Sequence, residues 1–189
     1  LSFSALACGP QDGVVVLLLH GFPDNPHTFE GQLGALGDAG YRVIAPTIRG
    51  YEPSSQPDDE DYRVGTMARD VLAWLDDLGE KKVHLVGHDW GAAIASVACA
   101  IAPERFYSLT TMAVPHPPGI KRNAWRLPIQ VINSSYMMFF QLPWIPEWAI
   151  SVNDWSMTRW LCSVWTGSEP LPEDDWANRR ETFDAPGVR

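Results

Sequence analysis

No run of apolar residues in this chain approaches the roughly 20 that a membrane-spanning helix requires. The longest, Val14–Leu19 and Val97–Ala102, are six residues each. Basic residues are scarce too: 14 Lys and Arg against 23 Asp and Glu give a net charge of −9. That balance excludes the basic face that nucleic acid or an anionic membrane surface demands. Cysteine is rare and odd in number, with Cys8, Cys99 and Cys162 far apart. Neither a disulfide framework nor a metal cluster is expected, and the chain reads as a reducing, cytoplasmic protein. Leu1–Ala7 has no basic segment, no long apolar core and no initiator methionine, so no secretory signal is read there and the natural start is expected upstream. What is present is 189 residues with 46% apolar content, enough for one packed domain or one domain and part of a second.

From Leu1 to about Pro115, short apolar or β-branched runs alternate with helical patterns, which predicts βαβ units and a mostly parallel sheet. Leu1–Ala7 and Val14–Leu19 flank the turn residues Gly9 to Gly13 and read as a hairpin. Arg42–Ala45, Val83–Val86 and Leu109–Ala113 read as later strands. A helix over about 28–39 places Phe29, Leu33 and Leu36 on one face, with Gly40 as its C-cap. A second over 64–78 places Met67, Val71, Leu75 and Leu78 at helical spacing and stops at Gly79. A third over 91–102 is rich in alanine, carries Ile94, Val97 and Ile101, and ends before Pro103, so it should be buried against the sheet.

Composition shifts after Pro115. Seven of the nine tryptophans lie between Trp125 and Trp176, and irregular helical patterns are broken by Pro128, Pro143, Pro146, Pro170 and Pro172. A second module is expected there. Its tryptophans read either as its core or as an aromatic ligand pocket between the modules.

Val83–Val86 runs into Gly87-His88-Asp89-Trp90-Gly91-Ala92 and then an apolar helix. This is the nucleophile-elbow form G-x-(nucleophile)-x-G, in which the two glycines permit a sharp turn and the central side chain is thrust out above the sheet. Asp89 occupies that place. A helix N-terminus favours its ionised form. The competing reading makes Asp89 an ordinary N-cap.

His20-Gly21-Phe22-Pro23-Asp24 follows another strand, where a parallel sheet presents ligand-binding loops. Together the two segments resemble the α/β-hydrolase family, within it the branch of epoxide hydrolases and haloalkane dehalogenases that uses an aspartate nucleophile. Arg49-Gly50-Tyr51 resembles a third segment of that branch, although Thr47 stands where aspartate is usual and Glu52 where glycine is usual. The resemblance implies an α/β-hydrolase fold, a mostly parallel sheet flanked by helices. Residues 1–118 would form the core (the family's strands 2–6) and 119–189 an incomplete helical cap. Attack of Asp89 on an sp³ carbon would leave an ester that water can cleave, whereas serine would leave an inert ether. The resemblance places the backbone N–H groups of Phe22 and Trp90 at the oxyanion. The run Ser135-Tyr136-Met137-Met138-Phe139-Phe140-Gln141-Leu142-Pro143 resembles the cap segment whose tyrosine protonates the leaving alkoxide. Tyr136 takes that role, its alternative being an ordinary interfacial tyrosine. Phe22, Trp90, His116 and Phe139 are the expected substrate contacts. His20 is expected to be structural, and His84 and His88 are not placed as bases.

The family's base is a late histidine oriented by an acid. All five histidines here fall by position 116, leaving His116 as the one surrogate, and a fragment of a longer enzyme is expected. Such a chain would form the ester and stall. Its unpaired sheet edges would invite association into homo-oligomers. The function expected is cofactor-independent opening of an apolar epoxide to a diol. The alternatives are hydrolytic dehalogenation by the same nucleophile and a non-catalytic binding protein of this fold. Phe22 stands where haloalkane dehalogenases commonly place a halide-binding asparagine.

Overall fold

A computed structural model describes residues 1–114, 136–140, 142, 144–165 and 172–186. The chain divides into two compact units, Leu1–Val114 with Glu181–Val188, and Pro115–Arg180 with Arg189.

The first unit is built on β1 (Ala5–Cys8), β2 (Val15–Leu19), β3 (Arg42–Pro46), β4 (Val83–His88) and β5 (Phe106–Met112), in the spatial order β1-β3-β2-β4-β5. All neighbours are parallel except β1, which runs antiparallel to β3. Every residue of β2 is buried, because its alternate side chains serve two cores. Val15, Leu17 and Leu19 pack with α2 (Val64–Asp77) and α3 (Trp90–Ile101), through Val71, Leu75, Ile94 and Ala98. Val16 and Leu18 face the other way, to Leu33 of α1 (Glu30–Asp38), preceded by Phe29 in a 3₁₀ turn.

Several boundaries moved for identifiable reasons. The expected hairpin does not form: β1 pairs with β3, because β2 already has β3 and β4 as parallel partners. Its unbroken Val-Val-Leu-Leu-Leu run is the mark of a central strand buried on both faces. Strand β5 ends at Met112 because Ala113 has φ +67, which no extended strand accommodates. In α3 the small residues face inward, but Val97 is only partly buried and Ile101 is 49% exposed. The α1 and α2 exits are as expected, with positive φ at Gly40 and Gly79. At the sheet margin β5 leaves Tyr107, Leu109 and Met112 exposed.

The described part of the second unit is helical: α4 (Tyr136–Phe139), α5 (Ile145–Trp165) and the start of α6 (Glu173–Asp184). Helix α5 is two segments broken at Val152 to Trp155, where Asn153, Asp154 and Trp155 all have positive φ. Among the described residues its tryptophans do not form one core. Trp176 is buried, with Arg159 stacked 5.1 Å above its ring, but Trp144, Trp148, Trp160 and Trp165 are exposed. No helix among the described residues is long and apolar enough to cross a membrane.

Candidate active site

Pairing of Leu19 with Gly87 ends β2 and β4 side by side, so the loop leaving one strand meets the turn leaving the other. That turn is Asp89, the link between β4 and α3, with φ +52 and ψ −120. A non-glycine residue there carries strain of about 1–3 kcal/mol, of the kind that persists at functional sites. The surroundings hold it in place. Its N–H donates to the Met112 carbonyl at 3.2 Å, and its carbonyl accepts from Ala92 at 2.9 Å and Ala93 at 3.3 Å. The sharpness of the turn explains its glycines: a Cβ on Gly87 would sit 2.3 Å from the Gly91 carbonyl oxygen, and one on Gly91 would sit 2.1 Å from that of Leu19.

The Asp89 side chain makes no capping hydrogen bond to α3. Its Oδ1 instead accepts the backbone N–H of Phe22 at 3.0 Å. Gly21 lets the two approach, since a Cβ there would lie 2.5 Å from Asp89 Cβ and 2.6 Å from its Oδ1. Trp90 is the first residue of α3 and its side chain is 47% exposed.

His20 is structural. It is fully buried, and Nε2 accepts the Ile48 N–H at 3.1 Å, which puts the ring proton on Nδ1, 3.1 Å from the Gly21 carbonyl. Burial lowers its pKa to about 4; the Gly21 hydrogen bond opposes this and repulsion from His88 adds to it. The Tyr51 ring meets His20 edge-on at 4.8 Å. Burial, then the charges of Asp89 and Asp24, push the Tyr51 phenol up. The sequence carries Tyr51 without a site role, and its step after Arg49-Gly50 is the signal for its place beside His20. Arg49 is held by Asp70 of α2 through two hydrogen bonds of 2.7 and 2.6 Å. The two departures from the family pattern share one partner. Ser4 Oγ lies 2.9 Å from Thr47 Oγ1, and the Ser4 N–H donates to Glu52 Oε1 at 2.7 Å.

Of the expected site residues, the structure brings Phe22 to Asp89, and Trp90 follows Asp89 as the first residue of α3. His84 is engaged elsewhere, with Nδ1 2.8 Å from Ser108 Oγ. Tyr136 and Phe139 stand on α4 in the second unit. The Tyr136 side chain lies outside the described residues, as does His116, while Phe139 is partly buried with its ring 5.6 Å from Phe140.

A family model described as alpha/beta hydrolase fold matches residues 14–141. The chain is 34% identical over 189 residues to AB hydrolase superfamily protein YfhM of Bacillus subtilis (strain 168), covering 100% of this chain and 66% of the relative. It is 36% identical over 162 residues to Epoxide hydrolase 4 of Homo sapiens, covering 85% of this chain and 44% of that protein. Among solved structures it is similar to a mutant of an epoxide hydrolase from Bacillus megaterium complexed with its product, (R)-3-[1]naphthyloxy-propane-1,2-diol. The TM-score is 0.84 at 27% identity, over 96% of this chain and 63% of that one. The chain thus spans about half to two thirds of the length of these proteins.

Proposed function

Because this chain belongs to the alpha/beta hydrolase fold family, we propose that it carries the nucleophilic half of an epoxide hydrolase site, with Asp89 as nucleophile. The carrying observation is that the Asp89 carboxylate ignores the helix it could cap and takes the Phe22 N–H at 3.0 Å. Oδ1 so held leaves Oδ2 as the attacking atom. Oδ2 bonds to a ring carbon, the C–O bond breaks, and the electron pair goes to the epoxide oxygen, which takes the proton of Tyr136. The product is a hydroxyalkyl ester of Asp89. Water then attacks the ester carbonyl, and negative charge develops on the oxygen that the Phe22 and Trp90 N–H groups attend. A donor of this kind contributes about 3 kcal/mol to such a step. Release of the diol regenerates the carboxylate.

The substrate class is apolar, and no cofactor enters the scheme. Support comes from the relatives named as epoxide hydrolases and from the aryl-ether diol bound by the Bacillus megaterium protein. In this reading residues 119–189 are the family's helical cap, and the roles of Tyr136, Phe139 and His116 rest on the family resemblance. The deprotonation of water has no assigned base, since the 73 residues after His116 contain no histidine. Product analysis tests the reaction class. Asp89-dependent chemistry on an aryl epoxide supports epoxide opening, while halide release from a haloalkane, with the epoxide untouched, replaces it with dehalogenation.

A further inference from the structure

Residues Glu181–Val188 belong to the first unit, and three contacts tie them to loops of that unit. Asn25 Nδ2 donates to Thr182 Oγ1 at 3.0 Å. The Phe183 ring, 7% exposed, lies 6.3 Å from the Phe22 ring at 56°, within the range of favourable aromatic pairs. Gln56 Nε2 donates to the Pro186 carbonyl at 3.0 Å.

The first two contacts fall on the loop that carries the Phe22 donor. Asn25 is buried, and its Oδ1 accepts the His27 N–H at 3.0 Å, capping the 3₁₀ turn Pro26–Phe29. Its amide is therefore fixed in direction, and Thr182 stands where the other end of that amide points. Between them, the Asp24 N–H donates to the Gly21 carbonyl at 3.1 Å. Phe22 is thus addressed from two sides, its N–H by Asp89 and its ring by Phe183.

We propose that Thr182 and Phe183 are positioning and specificity-determining residues of the Asp89 site. Thr182 holds the Phe22 loop through Asn25, and Phe183 joins Phe22 in an apolar wall that receives the flat, apolar part of an epoxide. The inference rests on the epoxide reading above. An error of about 1 Å in such a loop is enough to slow chemistry 10²-fold.

The test uses the 189-residue chain with Phe183→Ala, Thr182→Val and Thr182→Ser. Ester formation is timed by intact mass with styrene oxide and with 1,2-epoxybutane, and amide hydrogen exchange is followed across residues 21–29. Phe183→Ala should lower the styrene oxide to epoxybutane rate ratio roughly tenfold, the size of a lost apolar pocket contact. Thr182→Val should slow both epoxides alike and speed exchange across 21–29 but not across β2 or α3. Thr182→Ser, which keeps the hydroxyl, should match the unchanged chain in both readouts. An unchanged rate ratio in Phe183→Ala, or unchanged exchange in Thr182→Val, overturns the proposal. If the unchanged chain forms no ester with either epoxide, the epoxide reading fails by itself, and exchange in Thr182→Val still decides whether the loop is held. Should Phe183→Ala not fold, Phe183→Leu keeps apolar bulk without the ring, and the same ratio is read.

Discussion

The Phe22 N–H and the Asp89 carboxylate meet at 3.0 Å across 67 residues of sequence. Each depends on a local distortion that the other makes useful. Asp89 is strained at φ +52 and Phe22 is brought close by a glycine that precedes it.

The strain is measurable apart from the chemistry. Asp89→Gly and Asp89→Ala both remove the carboxylate, but only glycine occupies this backbone region without penalty. Asp89→Gly should be more stable than Asp89→Ala by about 1–2 kcal/mol in urea denaturation. Equal midpoints would show that the turn relaxes around alanine.

Gly21→Ala places a methyl group 2.5 Å from Asp89 Cβ. The loop must shift, at a cost of about 1–3 kcal/mol in stability. Ester formation should fall roughly 10²-fold, and the two effects can be read by urea denaturation and by timed intact mass.

His20 makes stability pH-dependent. Its folded pKa of about 4 lies below the ordinary imidazole value of 6.5, so the unfolded chain binds a proton that the folded chain refuses. Its contribution is full above pH 6.5 and is lost as the pH falls toward 4. By pH 4 the loss is roughly 3 kcal/mol. Comparing urea midpoints from pH 7 to 4 in the unchanged chain and in His20→Asn should show this component vanish in the variant.

Arg49 and Asp70 form a two-bond ion pair whose side chains are 10% and 14% exposed. Removing one partner leaves a nearly buried charge alone. Asp70→Asn should cost about 3 kcal/mol. Arg49→Lys should recover only part of the pair, because a lysine cannot make the bidentate fork. A double-mutant cycle in urea checks both.

The elbow was legible because its chemistry is local. Glycines flank a carboxylate between an apolar strand and an alanine-rich helix, and Gly40, Gly79 and Pro103 mark where helices stop. The pairing of β1 was not legible in the same way. Turn residues between two strands suggest a hairpin, and only the two-sided burial of β2 shows that both its edges are taken. Tryptophan count does not separate core from surface in the second unit, since composition does not say which face of a helix is covered. The Asn25–Thr182 bond spans 157 residues, and nothing periodic or compositional links those positions.

The central claim is tested most directly by the intact mass of the chain before and after incubation with styrene oxide, with Asp89→Ala alongside. One adduct of a single styrene oxide on the unchanged chain, absent from Asp89→Ala, is the predicted result. An adduct that survives in Asp89→Ala, or the absence of both adduct and diol, would contradict the assignment of Asp89 as the nucleophile of an epoxide-opening site.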